Sequence, residues 1–181
     1  LLIICIKYNV NSNIHTKKKD NDIIKFKQEY ESLNNTENAE KKTYLTLNID
    51  SSNNILYKSD EEIINILEEG TGLIYFGFNT CPWCRNIIEP LFNSTKKSKL
   101  ENLYYVDIKE IRSVYKVQDK ELKKEVLGTK SYYKILEILD NYLEPYIITE
   151  DNEDYNTKEN RLYAPTVVAV KNGEIVGFHS G

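Results

Sequence analysis

The chain has 181 residues, enough for one domain with a substantial core, and 40% of them are hydrophobic. Acidic residues exceed basic ones and give a formal net charge of −4, so the sequence offers no basic surface of the kind that binds nucleic acid. Three cysteines are too few for a disulfide-stapled scaffold.

The N-terminus starts with an apolar stretch, residues 1–6, that is too short to cross a bilayer. The chain contains no Met, which indicates a processed form or a fragment. The stretch fits the end of a signal peptide, and Cys5 fits a lipid-modified cysteine only in part, because Ile4 stands where a small residue is usual. We therefore expect an extracytoplasmic protein with a membrane tether at its N-terminus. A cytoplasmic fragment with an incidental Cys5 is the alternative.

The first third of the chain is predicted to be only partly ordered. Residues 1–21 are predicted to be a signal remnant or a flexible tether, because most of this range is polar and without apolar periodicity. Apolar residues then recur with helical spacing from Ile23 to Leu33, which predicts a helix and a polar linker over residues 22–42. Alternating side chains over residues 43–49 predict the first strand.

The centre of the chain alternates helices and strands. Asp60 is a predicted N-cap, and the helix that it opens ends at Gly70. Residues 73–78 are a short continuous apolar run, which is typical of a strand buried on both faces. A helix over residues 83–97 and a strand over residues 103–108 are predicted next.

The C-terminal part is predicted as a helical insert followed by a hairpin. The insert occupies about residues 109–161, and its predicted elements are helices over 109–117, 119–127 and 131–143 and a loop over 149–161. Strands over 166–170 and 175–178 flank an Asn-Gly pair, the strongest short signal of a β-hairpin.

The sequence Cys-Pro-Trp-Cys, residues 81–84, stands between a predicted strand and a predicted helix. At the start of a helix, unpaired N–H groups and the helix dipole favour a thiolate, and thiols so placed have pKa values of roughly 3.5–7.5. We therefore expect Cys81 to be the attacking nucleophile. Cys84, one helical turn further in, is the expected resolving thiol.

The same two cysteines are also half of a possible zinc site, which needs four ligands. The remaining candidates, Cys5, His15 and His179, are not paired in the way that zinc sites usually are. We expect no metal, and no cofactor other than a redox-active disulfide between Cys81 and Cys84.

Three stretches resemble the thioredoxin-like superfamily: IYFGFNTCPWCRN around Cys81, LYAPT up to Thr166, and VVAVKNGEIVG at the hairpin. The resemblance implies an α/β protein with the thioredoxin fold, a central mixed β-sheet flanked by helices, over residues 43–181. The helical insert precedes the strand that a cis-proline opens. It also implies a cis Ala164–Pro165 bond beside the cysteines, and substrate contacts made by Pro82, Trp83, Ala164 and Pro165.

The function that the resemblance implies is thiol–disulfide exchange with protein or peptide substrates, regenerated by a redox partner, in a monomer. A narrower similarity, carried by the GF-x-x-CPWCRN stretch, is to small bacterial extracytoplasmic members that include bacteriocin-transport accessory proteins. The alternative is therefore an accessory or binding module for peptide or bacteriocin export, in which redox activity is incidental.

The sequence departs from the family pattern at three places. Tyr75 stands where thioredoxin has a buried Asp that accepts a proton from the resolving thiol, and Leu103 stands where it has a Lys. The stretch between Asp107 and Pro165 is longer than thioredoxin needs. The family closes with a helix after the hairpin, so we expect that helix to be missing from this chain.

Overall fold

The computed structural model describes the backbone of residues 2–181 and the side chains of residues 16–181. The predictions for Cys5 and His15 therefore lie outside the described side chains. Within the described part, the protein is α/β, with a mixed five-stranded sheet and two separate hairpins. None of its helices, in the residues described, has the length and hydropathy needed to cross a bilayer.

The elements follow one another without long gaps after residue 55. The helices are α1 Leu2–Glu31, α2 Asp60–Glu69, α3 Pro82–Lys97 and α4 Lys130–Leu139, with a 3-10 turn at Asp140–Tyr142. The strands are β1 Ile55–Tyr57, β2 Gly72–Gly77, β3 Leu103–Asp107, β4 Val114–Gln118, β5 Glu121–Val126, β6 Glu144–Glu150, β7 Glu153–Arg161, β8 Thr166–Lys171 and β9 Glu174–Ser180. The sheet order is β1-β3-β2-β8-β9, and β4-β5 and β6-β7 are two-stranded.

The chain divides into two compact units, and the first comprises the residues up to Tyr57 together with Asn79–Tyr104. An aromatic cluster forms part of its core: Phe26 of α1 stacks on Tyr30 with ring centres 4.3 Å apart and meets Phe92 of α3 edge-on at 5.8 Å. Helix α1 starts at Leu2 rather than at residue 22, where the sequence predicted the helix to begin. No Gly or Pro occurs between residues 2 and 31 to interrupt a helix. The assignment of residues 1–21 to a signal remnant or tether stays a prediction.

The strand predicted over residues 43–49 is also wrong. Only Thr43 forms an isolated bridge, with Glu37, and residues 44–50 belong to no strand. Side chains take the place of that strand: the amide of Asn34, for example, donates to the Leu47 carbonyl at 2.7 Å and accepts from the Leu47 N–H at 2.9 Å. Burial does alternate here, since Leu47 and Ile49 are buried and Thr46 and Asn48 are exposed, but alternation could not reveal what pairs with the backbone.

The second unit comprises Lys58–Phe78 and Tyr105–Gly181. Helix α2 begins with a capping box in which Ser59, not Asp60, is the N-cap, and Gly70 ends the helix as predicted. Strand β8 pairs antiparallel with β2 and with β9, so the predicted hairpin is confirmed. Its turn requires Gly173, since φ is 76° there and a Cβ would lie 2.1 Å from the Glu68 carbonyl oxygen.

The predicted helical insert is wrong in most of its length. Helix α4 is confirmed, but hairpins β4-β5 and β6-β7 replace the other two helices and the acidic loop. Each hairpin turns through two consecutive residues with positive φ, Asp119-Lys120 and Asp151-Asn152. That geometry suits a two-residue turn, yet it is built here without glycine, the residue that most often signals it.

Polar side-chain contacts tie the insert together. Glu159 of β7 accepts hydrogen bonds from Lys124 of β5 and from Ser113, the latter at 3.0 Å. Arg161 of β7 donates to the Ser113 carbonyl at 2.7 Å and lies over the ring of Tyr146 at 4.4 Å. The two hairpins are therefore linked by side chains of β7.

Candidate functional site

The Cys-Pro-Trp-Cys sequence forms the start of helix α3. The chain leaves β2 at Gly77, and Cys81 is the N-cap of the helix, with an extended backbone at φ −80° and ψ 118°. Pro82 is the first helical residue, a position where a missing N–H costs no hydrogen bond. The predicted strand–CPWC–helix arrangement is confirmed.

The Sγ of Cys81 is the capping atom of this helix. It accepts the backbone N–H of Cys84 at 3.1 Å, while the Cys81 carbonyl accepts the N–H of Arg85 at 3.1 Å. An N–H donated to sulfur, together with the positive end of the helix dipole, stabilises negative charge on Sγ. The geometry therefore favours a thiolate at Cys81.

The four residues of the motif differ in exposure. Cys81 is 5% exposed and Cys84 is fully buried, whereas Trp83 is 68% exposed. Pro82 is also exposed. A reagent thus has access to Cys81 before Cys84, and the motif presents an apolar surface beside the more accessible thiol.

The sequence did not reveal the role of Arg85, which is fully buried directly after Cys84. Its guanidinium donates to neutral oxygens of the first unit: the carbonyls of Tyr30 at 2.8 Å and Leu45 at 3.0 Å, and Oδ1 of Asn34 at 3.0 Å. Burial lowers the pKa of Arg85 below its ordinary value. The only available signal was an Arg immediately after the second cysteine.

Asn79, two residues before the motif, is held in place in a similar way. Asn79 donates from Nδ2 to the Glu29 carbonyl of α1 at 3.0 Å, and its own carbonyl accepts from Arg85 at 3.4 Å. Both flanks of the Cys-Pro-Trp-Cys motif are therefore bonded to the same part of the first unit.

Tyr75 and Leu103, the two departures from the family pattern, are fully buried. The Tyr75 ring packs 5.3 Å from that of Tyr105 and lies so close to Gly77 that a Cβ there would be 2.5 Å from the tyrosine oxygen. Strand β2 thus carries no carboxylate that resembles the buried Asp of thioredoxin.

Ala164 and Pro165 are joined by a cis peptide bond, as the resemblance implies. Thr166 follows as the first residue of β8 and pairs with Phe76 of β2, so the proline lies at the end of this strand pair where β2 finishes. The predicted contact of Pro165 with the two sulfurs stays a prediction, as do the substrate contacts of Pro82, Trp83, Ala164 and Pro165.

Comparison of the chain with protein-family models, with curated proteins and with solved structures finds no match. Among the described side chains, no three His, Cys, Asp or Glu residues group closely enough to hold a metal ion. The case for a function rests on the geometry of the motif itself.

Proposed function

We propose that this chain is a thiol–disulfide oxidoreductase that uses Cys81 as nucleophile and Cys84 as resolving thiol. The observation that carries the proposal is the Cys81 Sγ at the N-terminus of α3, where it accepts the Cys84 N–H at 3.1 Å. A thiolate held by a helix N-terminus is the reactive form of cysteine in exchange reactions.

The reaction has two balanced steps. The Cys81 thiolate attacks one sulfur of a substrate disulfide, a mixed disulfide forms, and the other substrate sulfur leaves as a thiolate and takes up a proton. The Cys84 thiol then loses its proton and attacks the Cys81 Sγ. The second substrate thiol is released, and the Cys81–Cys84 pair, which has given up the two electrons that the substrate gained, remains as a disulfide. The reverse sequence oxidises a dithiol substrate.

The roles of the two cysteines follow from their burial. Cys84 is fully buried and Cys81 is 5% exposed, so a bulky disulfide meets Cys81 first. The three-residue spacing within one helical turn then lets Cys84 attack without movement of the substrate. These facts support the assignment of Cys81 as the attacking thiol.

The thioredoxin fold is part of the proposal. Its supports are the strand–CPWC–helix order, the antiparallel pairing of β8 with β2, and the β8-β9 hairpin that follows Pro165. In this proposal the insert before β8 consists of two hairpins and α4 rather than of helices alone.

The experiment uses glutathione disulfide as the probe, with Cys5→Ser as the background so that only two thiols react. Cys84→Ser should gain one glutathione on Cys81, and Cys81→Ser should gain none, as read from the mass of the intact protein. The Cys5→Ser chain that keeps both Cys81 and Cys84 should instead form an internal disulfide and release two glutathione molecules. Glutathione bound mainly to Cys84, or no reaction of either cysteine, would overturn the proposal.

A further inference from the structure

The N-terminus of helix α3 combines positive charge with a lack of acidic side chains. Its first turn contains no Asp or Glu, although helix N-termini favour negatively charged residues. Arg85 follows one turn after Cys81, and its N–H donates to the Cys81 carbonyl at 3.1 Å. Within residues 81–85, only the thiols of Cys81 and Cys84 can become negatively charged.

The charge of Arg85 is not neutralised by a carboxylate. Its side chain is fully buried, and its guanidinium donates to neutral oxygens, namely the carbonyls of Tyr30, Leu45 and Asn79 and Oδ1 of Asn34. No carboxylate in residues 16–181 forms an ion pair with it. Burial lowers the pKa of Arg85, but an arginine stays protonated at neutral pH. The start of α3 therefore holds a full positive charge without a counter-ion.

The carboxylates at the end of α1, the helix that Arg85 contacts, are paired with lysines of α1. Glu31 lies 2.7 Å from Lys27, and Glu29 lies 3.7 Å from Lys25. Their negative charges are thus offset within their own helix. They leave the charge of Arg85 uncompensated.

We propose that the Cys81–Cys84 pair is an oxidant whose substrates are proteins or peptides with two free thiols. The inference rests on the proposed function, because it gives the direction of electron flow at that site. The reduced form places a thiolate at the N-terminus of α3, where the Cys84 N–H and the charge of Arg85 stabilise it. A disulfide sulfur carries no charge, so the oxidised form lacks this stabilisation. A pair whose reduced form is favoured takes electrons from other thiols.

Oxidation of a substrate proceeds in two steps that together transfer two electrons. A substrate thiolate attacks the Cys81 Sγ, the Cys81–Cys84 bond breaks, and Cys84 leaves and takes up a proton. The second substrate thiol then loses its proton and attacks the substrate sulfur of the mixed disulfide. Cys81 leaves as the stabilised thiolate, and the substrate keeps the new disulfide. Another disulfide, such as glutathione disulfide, returns the pair to its oxidised form.

The direct test is the equilibrium between the oxidised full chain and the reduced catalytic domain of protein disulfide isomerase, itself an oxidising pair. The two are mixed in equal amounts at pH 7 without air, with Cys5→Ser as the background so that one thiol pair reacts. Free thiols are then alkylated and counted by mass. More than half of the disulfide should move to the isomerase domain. Retention of most of the disulfide by this chain would overturn the proposal.

A matched pair of exposed substitutions tests the charge at the start of α3. Asn86→Asp places a carboxylate directly after Arg85, where it repels the thiolate, and should lower the equilibrium constant for disulfide transfer about twofold or more. Asn93→Asp makes the same change about two turns further along α3 and should leave the constant unchanged. Equal constants for the two variants would overturn the proposal.

Substitution of Arg85 tests its charge apart from its packing. Arg85→Gln removes the charge and should lower the same constant at least threefold, whereas Arg85→Lys retains it and should stay within twofold. Equal constants for these variants would overturn the proposal. The Asn86→Asp and Asn93→Asp pair decides the question if Arg85→Gln fails to fold, since both asparagines are exposed.

Exchange with glutathione disulfide separates this inference from the proposed function. A chain that exchanges with glutathione but keeps its disulfide against the isomerase domain would be a reductant, which overturns the inference and leaves the oxidoreductase. A chain in which neither Cys81 nor Cys84 exchanges would overturn both.

Discussion

Arg85 donates from Nε to the carbonyl oxygen of Leu45 at 3.0 Å, which joins the residue after the second cysteine to segment 44–50. The same guanidinium reaches Tyr30 at the end of α1. One buried side chain therefore joins both segment 44–50 and the end of α1 to the start of helix α3. Stability and the geometry of the Cys-Pro-Trp-Cys motif depend on the same bonds.

We expect Arg85→Ala to reduce the free energy of unfolding by about 3 kcal/mol or more, because several buried oxygens lose their donor and a cavity opens. Arg85→Lys retains one donor group and should lose about half as much. Urea unfolding measures both. Lys97→Ala, an exposed change in the same helix, is the control and should stay within about 0.5 kcal/mol. An Arg85→Ala value as small as the control would contradict the role of this residue.

Cys81 should have two separable roles, helix cap and nucleophile. Serine is among the preferred N-caps, so Cys81→Ser should keep the stability of the parent, whereas Cys81→Ala should lose about 1 kcal/mol. Both variants should lose exchange with glutathione disulfide completely. Thermal unfolding and the exchange assay on the same samples give the comparison. Equal stability of the Ser and Ala variants would show that the sulfur does not cap α3.

Gly77 should tolerate no side chain while Tyr75 is present. A Cβ at Gly77 would lie 2.5 Å from the Tyr75 oxygen, and both residues precede the motif in β2. We expect Gly77→Ala to cost about 1–3 kcal/mol of unfolding free energy. In a Tyr75→Leu background the same change should cost less, with a coupling of about 1 kcal/mol in a double-mutant cycle. Strict additivity of the two changes would exclude this steric explanation.

The insert should lose stability in acid through Glu159. Burial alone would raise the pKa of this carboxyl, but hydrogen bonds from Lys124, Tyr115 and Ser113 outweigh it and lower the pKa below its ordinary value of 4.5. Its contribution is therefore fully present above pH 4.5 and is lost as the pH falls further.

We expect Glu159→Gln to cost about 1–2 kcal/mol at pH 7 and progressively less between pH 4.5 and pH 3, measured by urea unfolding. Glu125→Gln is the matched control, because Glu125 forms a largely exposed ion pair with Lys116 on the neighbouring hairpin. It should change stability by no more than about 0.5 kcal/mol. A cost for Glu159→Gln that does not depend on pH would contradict the lowered pKa.

The centre of the fold could be predicted from the sequence because its signals are local. The apolar run before Cys81, the stop at Gly70 and the Asn172-Gly173 turn each act within a few residues, and the structure has β2, α2 and the β8-β9 hairpin at those places. The cysteine pair was recognisable for the same reason, since a strand, a turn and a helix start within a dozen residues.

The parts that could not be predicted depend on distant partners or on unusual turns. Segment 44–50 is held by side chains from Glu31 and Asn34 and by Arg85 about 40 residues further on, which no alternation pattern records. The turn at Asp119-Lys120 takes positive φ without glycine, so the charged residues around it favoured a helix by composition. Pairing between β4 and β5 outweighs the helix propensity of these residues.

The way in which segment 44–50 is held also bears on the order of folding. A strand inside a sheet is held by another backbone, but this segment is held by side chains from α1, from Asn34 and from Arg85 of α3. The segment therefore takes its final place only after both helices have formed and come together. Until then Leu47 and Ile49, which are buried in the folded chain, stay exposed to solvent and to other chains, so this segment is open to self-association during synthesis.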